Sequence, residues 1–357
     1  MVSKNSKRAR LTYKDAGVDV AANDRMVKRI RHAVAATCDD RVLNGHNAFA
    51  GLFRLDYPGT LLRRNYRDPV LVAGTDGVGS KLLLGLQYGR LGDLGVDLVA
   101  MSVNDVLTTG AEPLFFLDYV ACNKLIPAQV AEIVEGVARG CRLADCSLLG
   151  GETAELPDLY AKRHFDLAGF CVGVVERRRL IDGGRVEPGD AVIGLASNGI
   201  HSNGYALVRK LLARTGHRKK LSAKLGEPLE DAILRPTRIY VPSIRALLGR
   251  YRRKRVVRAM AHVTGGGLPG NLPRVIPGDC DVVIQRKSWP LPPIFQGLQR
   301  LGVARSEMYR VFNMGIGFVL VVRPTFARSI VRRLNRLGES AYRIGTIRLG
   351  SGKLRWA

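Results

Sequence analysis

Cysteine and tryptophan are scarce in this chain of 357 residues, at six and two. No two cysteines stand as a C-x-x-C pair, which leaves no legible zinc site; reduced thiols in a cytosolic protein are expected. No apolar run is long enough to cross a bilayer as a helix, and the best, IGFVLVV from Ile316, has the length of a strand. The first residues are basic and lack the apolar core of a secretory signal, so export is not expected and a short solvated tail is. Internal repeats, low-complexity tracts and RNA-binding aromatic signatures are also missing.

Acid is short as well, but only in one half. The chain carries a net charge of +25, yet residues 1–176 hold 21 basic and 21 acidic side chains. The whole excess lies in residues 177–357, where 35 basic residues face 10 acidic ones in runs such as ERRRL, HRKK, GRYRRKRVVR and VRRLNR. With no aromatic ladder beside them, a solvated face is the ordinary reading, with weak non-specific attraction to polyanions and no specific nucleic-acid binding. The place of the charge in the fold decides further: lining a cleft it serves substrate attraction, and as a broad outer stripe it serves polyanion binding.

What is present is ordinary globular material, 46% hydrophobic and 24% charged, in a length that suits two domains. Short apolar runs alternate with helical patterns, which predicts an α/β or α+β chain. Strands are expected at PVLVAG from Pro69, PLFFLDYVAC from Pro113, CSLLGGET from Cys146 and FDLAGFCVGVVE from Phe165, the third ending in a glycine turn. Helices are expected from Asp97 to a glycine stop at Gly110 and from Pro127 to Cys141. The charge shift and the turn-rich IDGGRVEPGD from Ile181 place a boundary near residue 176, giving domains 1–176 and 177–357. Beyond it, AVIGLA, RAMAHV and MGIGFVLVV read as strands and FARSIVRRLNR as a helix stopped by Gly338.

The chemistry concentrates at turns. GTDGVGSK, Gly74 to Lys81, has the glycine spacing of a phosphate-binding P-loop but ends Ser-Lys where that motif needs Lys-Ser, and it carries Asp76. Asp76, Asp105 in VNDVL and Glu152 in GGET are three acids that repel one another unless a cation joins them, and magnesium bridging carboxylates and phosphate oxygens resolves this. Gly74, Gly77 and Gly79 would admit phosphate to backbone N–H groups beside Thr75, and Lys81 would meet it as a point charge. HSNGY from His201 opens a helix with Ser202 or Asn203 as its cap, an arrangement suited to a substrate phosphate. His262 and Thr264 stand before a mobile glycine run, TGGGLPG.

These stretches resemble one family, the phosphoribosylformylglycinamidine cyclo-ligases of purine synthesis. The resemblance rests on YKDAGVDV from Tyr13, PVLVAGTDGVGSKL from Pro69, GVDLVAMSVNDVLTTGAEPLFFLDY from Gly95, GCRLADCSLLGGETAELP from Gly140 to Pro157, DLAGFCVGVVE from Asp166, HSNGYALVRK from His201, LRPTRIYV from Leu234, HVTGGGLPGNLPRV from His262 and EMYRVFNMGIGF from Glu307. It implies a homodimer whose N-terminal mixed sheets pair into a barrel, with the C-terminal α/β domain completing an ATP cleft. It implies ATP- and magnesium-dependent closure of the imidazole ring of formylglycinamidine ribonucleotide, in the cytoplasm. Asp76, Asp105 and Glu152 then match metal and ATP positions, Lys81 a phosphate-side lysine, and His201, Asn203 and His262 substrate-side positions. One departure is the loop NGHNAFAG, Asn44 to Gly51, where the family usually has a glycine-dense run. Fewer glycines make closure over a nucleotide harder. Other readings are another ATP-dependent member of the same superfamily, or a divergent one whose basic half binds RNA or another polyanion.

Overall fold

The computed structural model describes residues 20–43, 50–56 and 65–357. The stretch from Tyr13 and most of the loop from Asn44 lie outside them. Helix α1 (Val20–Ala35) is followed by β1 (Pro69–Gly77), α2 (Lys81–Tyr88), α3 (Gly92–Leu107), β2 (Glu112–Cys122), α4 (Pro127–Ala144), β3 (Ser147–Glu155) and β4 (Phe165–Glu176). The four strands form one mixed sheet in the order β1-β4-β2-β3, with β2 and β3 parallel and the other pairs antiparallel. Helices α3 and α4 pack on one face of this sheet. Small residues let them touch: a side-chain carbon on Gly95 or Gly136 would overlap the backbone of the other helix.

The second unit contains β5 (Ala191–Ala196), α5 (Tyr205–Leu212), α6 (His217–Ser222), α7 (Leu229–Leu234), α8 (Val241–Arg250), β6 (Val257–His262), α9 (Gly267–Asn271) and β7 (Cys280–Ile284). It closes with α10 (Pro293–Arg300), α11 (Arg305–Val311), β8 (Ile316–Val322), α12 (Ala327–Arg336), β9 (Ala341–Leu349) and β10 (Leu354–Trp356). Its six strands run β10-β7-β9-β5-β8-β6. Strand β8, an unbroken apolar run, is buried along its whole length, as such runs are when both faces of a sheet are covered. One apolar core passes from Leu98 and Val103 on α3 through Tyr240 to Phe318 on β8, so the two units share a seam.

Two expectations change at the glycines. Strand β1 continues through Gly74, Thr75, Asp76 and Gly77, so the loop proper is only residues 78–80. Strand β3 likewise runs through Gly150 and Gly151 to Glu155 with no turn. Two of the glycines there answer crowding: a Cβ on Gly77 would lie 3.1 Å from the Leu167 carbonyl oxygen, and a Cβ on Gly151 would strike the Asp118 carboxylate.

Candidate active site

Strand alternation sorts the GTDG residues before any ligand is considered, because successive side chains point to opposite faces. Gly74 and Asp76 face α3, whereas Thr75 faces the outer side opposite Phe170, a side bare among the described residues except where Phe53 packs on Phe115. Thr75 and Asp76 therefore do not point at the same ligand from this chain. Glu152 shares the bare side with Tyr119, and β4 and β2 lie between β3 and β1. Three strand spacings separate it from Asp76, about 14 Å, and the two carboxylates leave the sheet on opposite faces. The three-acid metal site expected from sequence is thus corrected within one chain: Glu152 is not part of it.

Asp76 and Asp105 do share a site. Asp76 sits at the end of β1, accepts a hydrogen bond of 2.7 Å from the Gly77 N–H, and has its pKa raised by burial and further by Asp105, with His262 acting the other way. Asp105 is in the last turn of α3, its side chain half exposed at 52%, and its Oδ1 lies 2.8 Å from Nδ1 of the buried His262 at the end of β6. The other ring nitrogen, Nε2, is buried with no hydrogen-bond partner among the described residues. A carboxylate facing Nδ1 favours the Nδ1–H tautomer and leaves Nε2 as an acceptor.

Among the described residues, no three His, Cys, Asp or Glu side chains converge as a metal cage. Two neighbouring carboxylates, one of them raised by the other, still fit an ion such as magnesium, which takes one or two carboxylates and fills its octahedron with water and phosphate oxygens.

Lys81 lies elsewhere than its phosphate role requires. Its ammonium is fully buried, 2.6 Å from Asp97 Oδ2, donates to the Arg235 carbonyl at 3.0 Å, and stands 5.5 Å from the Tyr205 ring centre. Burial pushes its pKa down while Asp97 opposes the shift. Asp97 Oδ1 also accepts from Ser202 Oγ at 2.9 Å and from the Thr237 N–H and Oγ1, each at 2.7 Å. Lys81 and Ser202 are thereby spent on a buried network that joins α2 and α3 to the second unit, and neither is free for phosphate. Two turns along α3, Asn104 continues this grip: it donates to the Arg238 carbonyl at 2.8 Å and accepts from the Tyr240 N–H at 3.0 Å. Asp97 and Asn104 escaped sequence reading, although their spacing of seven places them on one helix face and was a usable signal.

His201 is buried in the wall. Its backbone is left-handed at φ 67°, its Nε2 lies 3.1 Å from Asn198 Oδ1, and its ring packs against Gly317, where any side-chain carbon would strike it. Burial first, then His262, Lys81 and Arg238, hold its pKa well below the usual histidine range, so the ring is neutral. Asn313 holds this loop, accepting from Ser197 Oγ at 2.9 Å and donating to the Gly199 and Ile200 carbonyls at 3.0 and 3.1 Å. The helix cap is Gly204, not Ser202 or Asn203. Asn203 faces the glycine run, its Oδ1 3.3 Å from where a Cβ on Gly265 would stand, and Thr264 Oγ1 donates to Asn271 Oδ1 at 3.2 Å. Gly79 alone of the first glycine set is left-handed and open, at φ 69°.

Two linked mixed α/β units with acids and a histidine gathered at their seam define the AIR synthase related class: residues 61–175 match its N-terminal domain and residues 187–356 its C-terminal domain. The chain belongs to the phosphoribosylformylglycinamidine cyclo-ligase family. It is 51% identical to the enzyme of that name from Myxococcus xanthus (strain DK1622), over 96% of this chain and 97% of that one. The counterpart from Bordetella avium (strain 197N) is 50% identical, over 96% of each. In fold it is similar to a thiamine-monophosphate kinase from Stenotrophomonas maltophilia K279a, with TM-score 0.65 and 18% identity over 93% of this chain and 95% of that one. A hydrogenase maturation protein HypE solved with ATP also gives 0.65, with 19% identity over 96% and 93%. At such identities these two speak for the fold alone.

Proposed function

We infer that this enzyme is a ligase that closes the imidazole ring of formylglycinamidine ribonucleotide to give aminoimidazole ribonucleotide, with ATP converted to ADP and phosphate, in purine biosynthesis. The observation that carries the reading is half-identity to cyclo-ligases over nearly the full length, with Asp76, Asp105 and His262 gathered at the seam. An amide oxygen is a poor leaving group and phosphate a good one, so phosphorylating the formyl oxygen turns that carbon into an electrophile for the neighbouring nitrogen. The buried His262 ring positions the half-exposed Asp105 carboxylate through Nδ1, and as the ring closes phosphate leaves and water takes the proton the attacking nitrogen sheds. Asp76 and Asp105 would hold magnesium, whose charge offsets that of the ATP phosphates. Gly79, Asn203, Thr264 and Gly265 supply the open surface for phosphate and substrate.

The chain is proposed to act as a homodimer in the cytoplasm. Its six cysteines form no disulfide, and the bare sheet face with Leu71 60% and Phe170 44% exposed is apolar enough to receive a second copy. No described helix is long and apolar enough to cross a membrane.

Purified protein given the substrate, ATP and magnesium should form ADP and aminoimidazole ribonucleotide in equal amounts, and ATP turnover should need the substrate. Asp105→Asn should lower kcat by about a hundredfold or more while leaving the melting temperature within a few degrees. ATP turnover without substrate, or full activity in Asp105→Asn, would remove the assignment.

A further inference from the structure

The basic excess of the second half is not spread evenly, and two clusters of it lie away from the seam site. A basin of about 920 Å³ opens where the two units meet at the start of β1, lined among the described residues by eight arginines and two glutamates. Arg67 precedes β1, Arg178, Arg179 and Arg185 follow β4, Arg245 rises from α8, and Arg252, Arg253 and Arg255 come from the turn between α8 and β6. Both acids are already engaged: Glu112 accepts from Arg245 and Tyr66, and Glu176 accepts from the Arg67 and Asp68 N–H groups. Arg178, Arg179, Arg252, Arg253 and Arg255 form no ion pair among the described residues. The crowding is felt: burial, Arg252 and Arg178 together pull the Arg179 pKa below the usual guanidinium value.

Tyr251 is shared with a second basin of about 640 Å³, whose wall is Arg250 and the arginine face of α12, Arg328, Arg332, Arg333 and Arg336, with no acid in it among the described residues. Arg333 Nε is buried there without a partner. The two basins meet at Tyr251 and together hold thirteen arginines among the described residues, one basic tract. Its near end is the start of β1 and β6, whereas Asp76 and His262 are at the far ends of those strands, about 20 Å along. Substrate attraction into the cleft does not account for charge on the opposite side.

We propose that this tract binds the phosphate backbone of single-stranded RNA without sequence preference, as a second site independent of ring closure. Two observations choose the ligand. The tract is longer than one nucleotide-sized cavity, so a chain of phosphates fits it better than a single nucleotide. Every cation in both walls is arginine, whose planar group grips phosphate with two N–H donors and stacks on bases, where lysine offers only a point charge.

The test is fluorescence anisotropy of a labelled mixed-sequence single-stranded RNA with the intact protein. Binding should weaken with a slope of log K against log salt of about −3 to −5, the value for some five to seven phosphates neutralised on a single strand. The triple change Arg252→Glu, Arg253→Glu and Arg255→Glu should lower affinity at least about tenfold while ring closure is kept. A control with the same charge change on exposed residues elsewhere, Arg214→Glu, Lys224→Glu and Arg305→Glu, should lower it far less. No binding at low salt, or equal loss in the control, overturns the site. Duplex RNA binding more tightly than the single strand overturns the choice of strand. Inorganic polyphosphate competing as well as RNA per phosphate overturns the choice of polynucleotide.

Discussion

Asp118 shows what one carboxylate in a covered sheet does to a protein's pH response. It stands on the inner face of β2 against Gly151 and Gly169, buried, and desolvation pushes its pKa up from 3.8 to about 7, only partly offset by its own backbone N–H. A carboxyl whose folded pKa exceeds its unfolded value binds more protons when folded, so its charge costs stability. The cost begins above pH 4 and grows until about pH 7, where the folded form also ionises. Asp118→Asn keeps the shape and removes the charge. Its stability relative to the parent should therefore rise between pH 4 and 7 and stay level above, with a ceiling of about 4 kcal/mol at 1.4 kcal/mol per unit. Urea midpoints of both proteins at pH 4.5, 6 and 8 measure this, and a difference that does not change with pH would show that Asp118 ionises normally.

At the scale of elements, α3 organises the seam: Asp97 and Asn104 on one face hold the extended chain at residues 235–240, and Asp105, on another, reaches His262. Lys81→Met should leave Asp97 buried without its cation and destabilise the protein by about 3 kcal/mol. Adding Asp97→Asn should recover part of that loss, since the remaining amide needs no counter-charge. The KM for ATP of the folded variant should stay near the parent's, whereas a phosphate-binding lysine would raise it at least tenfold. The same elements show what sequence could tell. Apolar runs such as AVIGLA and IGFVLVV became strands where expected, because burial dictates both the run and the strand. The two glycine stretches did not become turns, since glycine also serves where a helix or carboxylate crosses a strand closely, and composition does not separate the two uses. Asp105 and His262 were legible because each stands at an element's end beside unusual neighbours. Asp97 hides within an apolar helix, and the depth of Lys81 is decided by a segment more than 150 residues away.

For the whole molecule, the face of the first sheet turned away from α3 and α4 is covered only in part among the described residues: Phe53 packs on Phe115, while Leu71 and Phe170 stay exposed. β1, β4, β2 and β3 expose Leu71, Ala73, Thr75, Phe170 and the Tyr119–Glu152 row on the side away from α3 and α4. An antiparallel pair can leave one face to water, but that face is then polar, and here it is mostly apolar. Leu71 at 60% and Phe170 at 44% exposure stand on adjacent strands four residues apart in register, with Ala73 and Val172 between them on the same face. A second copy laid on it would bury both rows at the ordinary sheet-to-sheet spacing of about 10 Å. Phe170→Glu places a charge in the middle of that interface, where burial without a partner costs several kcal/mol. The parent should sediment as a dimer at micromolar concentration and Phe170→Glu as a folded monomer, with circular dichroism unchanged because the side chain points away from the core. A monomeric parent, or a variant that stays dimeric, would mean that another surface mediates association or that the face serves a different ligand. Ring-closing activity of the monomeric variant then decides a further point: if Asp76, Asp105 and His262 suffice, activity survives dissociation, and if the bare face with Thr75 and Glu152 completes a neighbour's site, it falls with the dimer.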